Sequence, residues 1–240
     1  MASRKSELGL PIGEPVPGWK PVSRPPRTPM DGRFCRVEPL DPPRHATDLF
    51  EALAEDTDGR IWTYLPYGPF EARADLEAWM EATCVGEDPL FHAIVDRASG
   101  KAVGVASYLR IEPQVGVIEV GHINFAPRLQ RTAAATEAMF LMMRRVFAEL
   151  GYRRYEWKCD SLNAGSCNAA ERLGFRYEGI FRQATLYKGR NRDTAWYAVI
   201  DTEWPALERA YEAWLDPANF DQKGQQRTGL AALIAREQGV

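Results

Sequence analysis

Residues 129–138, Leu-Gln-Arg-Thr-Ala-Ala-Ala-Thr-Glu-Ala, carry the pattern with the clearest chemical meaning in the chain. A glutamine and an arginine are followed by the small residues Thr132, Ala133, Ala134, Ala135 and Thr136, where a helix is predicted to begin. Small side chains leave backbone N–H groups open to an incoming anion, and the positive end of the helix dipole adds to the attraction. Phosphate suits such a turn. Upstream, the run Val117–Phe125 is β-branched and aromatic, with Pro127 to stop it, so it is predicted to be a strand. Downstream, Ala135, Met139, Met142, Val146 and Leu150 recur at helical spacing until Gly151 supplies a cap. The predicted unit is strand, anion-binding turn, helix.

Gln130, Ala133 and Ala135 fall on a Gln/Arg-x-x-Gly-x-Gly/Ala pattern, and Asn163-Ala-Gly-Ser166 with Glu171-Arg-Leu-Gly174-Phe175 follows further along. In this order the two segments resemble the pyrophosphate signature and the next helix of GNAT-superfamily N-acetyltransferases, and Ala135-Thr136-Glu137-Ala138 is similar to the RimJ/RimL-like branch. Ala133 stands where the family usually has its first glycine. The resemblance implies acetyl-CoA, or another acyl-CoA, as cosubstrate, and no metal. Gln130, Arg131, Thr132, Ala133, Ala134, Ala135 and Thr136 would then hold the pyrophosphate. Backbone atoms of Asn124 and Phe125 would line the acetyl and pantetheine arm, and Asn163 would bond the pantetheine. Asn163 reads equally as a helix cap.

Acetyl transfer to an amine needs proximity, a proton acceptor, a donor to the oxyanion and a proton for the departing sulfur. Glu119 precedes Gln130 at a separation that resembles the one between general base and phosphate motif in several GNAT enzymes. Alternation predicts that it shares a face with Gly121 and Ile123. A partly dry cleft raises a carboxyl pKa toward a base's working range, whereas pairing with a nearby Arg or Lys is the competing reading. The tyrosine acid of many GNAT enzymes is Ala170 here. Ser166 matches the serine of the RimJ/RimL-like branch, as a hydrogen-bond donor toward the sulfur or only as a cap. Cys167 has no activating His or Asp nearby in sequence and reads as packing.

Trp62, Tyr64 and Tyr67 belong to the most aromatic stretch and, with Tyr187, are expected to wall the acceptor pocket or else to pack in the core. Arg190 and Arg192, in an expected loop at 188–193, would hold a carboxylate, reach the coenzyme's phosphates, or simply be solvated. The expected reaction moves acetyl from acetyl-CoA to a primary amine, on a protein amino terminus or a small molecule, by direct attack in a ternary complex. A succinyl-CoA-type transferase using the basic 188–192 loop and a non-catalytic acyl-CoA-binding module are the alternatives.

The 240 residues suffice for one domain with extensions. A net charge of −3 gives no general attraction for nucleic acid. Cys35, Cys84, Cys159 and Cys167 form no Cys-x-x-Cys pair, so free thiols are expected rather than zinc or disulfides. No run approaches the ~20 apolar residues of a spanning helix, and the opening Met-Ala-Ser-Arg-Lys-Ser-Glu lacks a signal core; no membrane association and a cytoplasmic location are expected. Residues 1–31 hold Pro11, Pro15, Pro17, Pro21, Pro25, Pro26 and Pro29 and are predicted to form an extended arm on the surface or on the partner in a homodimer.

Residues 32–202 are predicted to form the GNAT domain, and 203–240 a helical extension. Strands are expected at 33–40, 91–96, 103–110, 117–125, 155–159, 176–186 and 194–201, with helices near 45–54, 72–83, 133–150, 166–173 and 204–215. Antiparallel strands followed by a strand-helix-strand unit predict a mixed, mostly antiparallel twisted sheet flanked by helices, an α/β (α+β) arrangement.

Overall fold

A computed structural model describes residues 4–239; Met1–Ser3 and Val240, the two ends of the predicted arm and extension and part of the segment read for a signal core, lie outside the described residues. The chain runs β1 (Arg4–Lys5), β2 (Pro11–Ile12), β3 (Met30–Asp31), β4 (Cys35–Pro39), α1 (Pro42–Leu53), α2 (Arg73–Thr83), β5 (Leu90–Asp96), β6 (Ala102–Glu112) and β7 (Val117–Phe125). It continues through α3 (Ala133–Arg144), β8 (Arg154–Asp160), α4 (Ala164–Arg172), β9 (Arg176–Tyr187), β10 (Arg190–Ile200), α5 (Trp204–Leu215) and α6 (Leu230–Gln238). β1 and β2 pair with each other, and the other eight strands form one sheet in the order β3-β4-β5-β6-β7-β8-β10-β9. Every neighbour in it is antiparallel except β7 and β8, as a strand-helix-strand crossover through α3 requires.

Alternation along β6 separates the two layers of helices. Tyr108 faces α3, and its hydroxyl donates to the Met142 carbonyl at 2.8 Å. Val105, of opposite parity, borders Leu49, Leu53 and Met80 of α1 and α2. On α3, Ala138, Met142 and Met143 are fully buried. The last turn of this helix widens to a π-turn at Arg145–Glu149, where the sequence predicts regular helix. Arg145 is buried there and donates to the carbonyls of Thr28 and Pro29, which fixes the end of the proline-rich arm. α5 covers α3 from outside, with Phe140 stacked on Tyr211 at 4.9 Å between ring centroids.

Glu137 of α3 accepts hydrogen bonds from the amides of Arg33, Phe34 and Cys35 at 2.7, 2.6 and 2.9 Å. Arg33 and Phe34 therefore lie in the β3–β4 turn rather than in the strand predicted from 33. The expected loop at 188–193 is also revised. Lys188 and Gly189, with φ of 49° and 70°, form a tight two-residue hairpin turn, and Arg190 and Arg192 belong to β10.

Candidate active site

β7 and β8 pair only from Val117 opposite Arg154 to Val120 opposite Trp157. Beyond that point β8 stays with β10 as far as Asp160 opposite Thr194, so the stretch from Gly121 to Phe125 loses its neighbour on that side. The sheet splits there. A cleft of about 1360 Å³ enters the split and runs from the segment after α1 to the amino-terminal ends of α3 and α6.

Three non-glycine residues with positive φ border this cleft: Arg110 at 47°, His122 at 50° and Arg131 at 61°. Such backbone is costly for a side chain with a Cβ, and it clusters where function holds it. Register shows what the first two do. Leu109 lies opposite Glu119 and Glu112 opposite Val117, so β6 bulges at Arg110; Ser107 lies opposite Gly121 and Val105 opposite Asn124, so β7 bulges next to His122. Directly opposed residues share a face, which places Glu119, Gly121 and Asn124 together and removes Ile123 from the set predicted by simple alternation.

Glu119 is buried between two cations, with Oε1 2.7 Å from an Arg110 guanidinium nitrogen and Oε2 2.8 Å from Lys158 Nζ. Burial pushes its carboxyl above the ordinary range, while Arg110 and Lys158 pull it back. Lys158 Nζ also lies 3.7 Å from the centre of the Trp196 ring. His122, half-buried, has its Nδ1 3.2 Å from the Tyr67 hydroxyl, and burial followed by the charges of Arg110 and Arg192 lowers its pKa to about 4.

At the other end, Thr132 caps α3 by accepting from the Ala135 amide. The amides of Arg131, Ala133 and Ala134 donate to no group among the described residues, so the start of α3 is an unfilled set of donors. Gln130, Arg131, Thr132, Ala135 and Thr136 line the cleft, whereas the side chains of Ala133 and Ala134 pack toward the core and leave only backbone to the turn. The positive φ falls on Arg131, and Ala133 is helical, which explains why alanine is accommodated at a position where a glycine is common. Gln130 donates from Nε2 to the Phe125 carbonyl at 2.9 Å and so staples the turn to β7.

Asn163 caps α4 by accepting from the Ser166 amide, and Ser166 Oγ accepts from Trp157 Nε1 at 2.9 Å; both residues line the cleft. The Ser166 hydroxyl also hydrogen-bonds the Cys159 side chain. Phe125 and Asn124 line it too, and neither polar atom of the buried Asn124 carboxamide has a partner among the described residues. Cys159 Sγ lies 3.7 Å from Cys167 Sγ, and burial keeps Cys159 a thiol, with its pKa pushed up to about 12.

The predicted acceptor residues divide. Tyr64, Tyr187 and Arg192 line the cleft; Tyr64 donates to the Leu162 carbonyl and Tyr187 to Asp160 at 2.8 Å. Trp62 does not: it is buried against Tyr67 and Phe70, because its ring lies directly under Gly68. Tyr67 reaches the site only through His122, and Arg190 is exposed outside the cleft. Arg110, His122 and Lys158 were not singled out from the sequence. Lys158 had a signal in the alternation Glu156-x-Lys158-x-Asp160, whereas nothing local marks the bulges. Among the described residues, no group of three or more His, Cys, Asp or Glu side chains is arranged to hold a metal ion, and no helix is long and apolar enough to cross a membrane.

Residues 37–176 match the sequence family described as Acetyltransferase (GNAT) domain. The chain belongs to the GNAT acetyltransferase family. Its fold superposes on the crystal structure of a GCN5-related N-acetyltransferase from Brucella melitensis, which is 48% identical, with 91% of this chain and 99% of that one covered and a TM-score of 0.89. A probable acetyltransferase of the GNAT family from Chromobacterium violaceum is 42% identical, covering 82% of this chain and 98% of its own, with a TM-score of 0.76. In sequence it is also similar to the uncharacterized N-acetyltransferase YnaD of Bacillus subtilis, 24% identical over 156 residues, or 65% of this chain and 89% of the relative. The eight-stranded mixed sheet with its flanking helices is the GNAT fold, and the protein is an N-acetyltransferase. GNAT enzymes take the acetyl group from acetyl-CoA.

Proposed function

We propose that this GNAT enzyme acetylates a primary amine, on a small molecule or a peptide amino terminus, by direct attack within a ternary complex. One observation carries the reading: the unpartnered amides at the start of α3 and the buried carboxylate of Glu119 open on the same cleft, at the two ends of the split between β7 and β8. The donors of α3 suit the pyrophosphate of acetyl-CoA. The free edge of β7 from Gly121 to Phe125, together with the orphaned Asn124 carboxamide, suits the amide-bearing pantetheine arm.

In the reaction, Glu119 takes a proton from the ammonium form of the acceptor, directly or through one water. The amine nitrogen then bonds to the thioester carbonyl carbon, the carbon–sulfur bond breaks, and the nitrogen gives up its remaining extra proton to water; the sulfur leaves with a proton relayed through Ser166, which regains one from water and whose oxygen is held by Trp157. Arg110 and Lys158 hold the Glu119 carboxylate in place between proton transfers. RimJ/RimL-like kinship is the finer form of this reading, supported by Ala135-Thr136-Glu137-Ala138 and Ser166.

The test is thiol release from acetyl-CoA across a panel of amines and amino-terminal peptides, with the product identified by mass. An acetylated amine formed by the wild type, and lost in step with thiol release in Glu119→Gln, is the expected result. Coenzyme binding with no acetylated product over the whole panel would overturn the catalytic reading in favour of a binding module.

A further inference from the structure

The charges in the acceptor half of the cleft do not balance, and the imbalance is localised. Arg60, Arg110, Lys158 and Arg192 line this half, against the carboxylates of Glu119 and Asp160. Three of the four cations are engaged: Arg60 with Asp58, Arg110 with Glu119, and Lys158 with Glu119 and Glu156. Asp160 is also committed, accepting from the Tyr187 hydroxyl and the Leu162 amide. Lys188, at the hairpin tip, donates to the Trp62 carbonyl. Arg192 differs from all of these. Its side chain has no hydrogen-bond or ion-pair partner among the described residues, and its Nε is buried without one.

The pairing of β10 with β9 shifts between Arg192 and Thr194, and the extra residues lie on β9 around Gln183 (φ 52°), so the ladder is interrupted just past Arg192, whose side chain lines the cleft. His122 lies within the field of both Arg192 and Arg110. Tyr187 and Cys159 feel Arg192 as well, and all three line the cleft. A desolvated guanidinium donor without an acceptor is costly, and a planar fork of N–H groups matches a carboxylate in two-point geometry.

We infer that Arg192, with Arg110 and His122 beside it, forms a carboxylate-binding subsite in the acceptor half of the cleft, so that the enzyme takes an amine whose reaction partner or own skeleton carries a carboxylate. This rests on the acetyl-transfer reading for its place in the reaction, but the subsite itself is a binding property. Two sources present the same chemistry: an acceptor that bears both amine and carboxylate, or a dicarboxylic acyl group on the coenzyme.

Imidazole NMR tests the binding directly. The protein has three histidines, His45, His92 and His122, and the His122 signal is assigned by its loss in His122→Gln. With succinate as probe, the titration of His122 is expected to move upward by about one pH unit, because a bound carboxylate opposes the field of the two arginines. The shift should vanish in Arg192→Gln and return in part in Arg192→Lys. An unmoved His122 at high succinate, or an equal shift in wild type and Arg192→Gln, overturns the subsite. Kinetics then separates the sources. The preference for amino carboxylates over their neutral amides should fall about tenfold in Arg192→Gln if the acceptor carries the group. If only the preference for succinyl-CoA over acetyl-CoA falls, the acyl donor carries it, and if neither falls the subsite has no part in the reaction and the proposal fails. A histidine response without turnover on any amine would count against acetyl transfer, not against the subsite.

Discussion

Glu119 and Glu156 stand opposite each other on the parallel strands β7 and β8, and Lys158 Nζ bridges them at 2.8 and 2.7 Å. The three side chains are 4%, 8% and 7% exposed. Two carboxylates side by side in so dry a place repel each other unless a cation lies between them, and the cation in turn needs both. The bridge therefore ties the paired part of the sheet together at the level where the split begins. It also sets the charge of the proposed base.

Replacing Lys158 by Met should expose both consequences. Removing one member of a buried ionic group leaves charge uncompensated, and stability should fall by roughly 3–5 kcal/mol in denaturant unfolding. A nearby cation favours the ionised carboxyl, so its loss raises the Glu119 pKa further above the ordinary value. Activity needs the ionised form, so the acid limb of the kcat/KM profile should move to higher pH. A limb that stays in place while stability drops would mean that another group titrates.

Glu119→Gln retains shape and removes the proton acceptor. Turnover at neutral pH should drop about 10²-fold or more, with coenzyme affinity, read by calorimetry, nearly unchanged. The acid limb assigned to Glu119 should disappear from what activity remains. Wild-type turnover in this variant would make Glu119 a purely structural partner of Arg110 and Lys158.

These two predictions depend on contacts that the sequence did not display. The strand Val117–Phe125 was legible to the residue, because β-branched spacing and a following proline are local signals. The turn at residues 130–136 was legible for the same reason, and Glu119, Asn124, Asn163, Ser166, Tyr64, Tyr187 and Arg192 all border the cleft that it lines. What sequence could not give was the partner of each. Arg110 reaches Glu119 only because a bulge turns it, and a positive φ at arginine or histidine has no compositional mark. Trp62 was misplaced because an aromatic beside prolines reads like a pocket wall until Gly68 is seen to lie against it. The loop at 188–193 was overestimated because its charges outweighed the Gly189 turn signal.

Glu137 is a second case in which a carboxylate works at long sequence distance. It satisfies three successive amides in the β3–β4 turn, and Gly32 leaves it the room to do so, since a Cβ there would come within 2.4 Å of the carboxyl. Glu137→Ala should cost on the order of 3 kcal/mol, the loss of charge-assisted bonds to amides that are partly buried. For a chain of this size that corresponds to a fall of roughly 10 °C in Tm. A thermal midpoint within ~2 °C of wild type would show that water replaces the carboxylate without penalty.

The proposed coenzyme turn offers a test that spares the fold. Ala133 is the first residue of α3, the position where proline is best tolerated, and Thr132 before it has the extended conformation (φ −94°, ψ 166°) that a following proline requires. Ala133→Pro should therefore fold normally while removing one of the three amides that have no acceptor within the protein. If those amides hold the pyrophosphate, the loss of one charge-assisted bond weakens acetyl-CoA binding by roughly 1.5–3 kcal/mol, or between about tenfold and a hundredfold in Kd. The same substitution should leave the affinity for a pantetheine fragment that lacks phosphates unaltered, which separates a lost phosphate contact from a distorted cleft. Equal affinity of wild type and Ala133→Pro for the whole coenzyme, measured by calorimetry on folded protein, would move the pyrophosphate away from the start of α3.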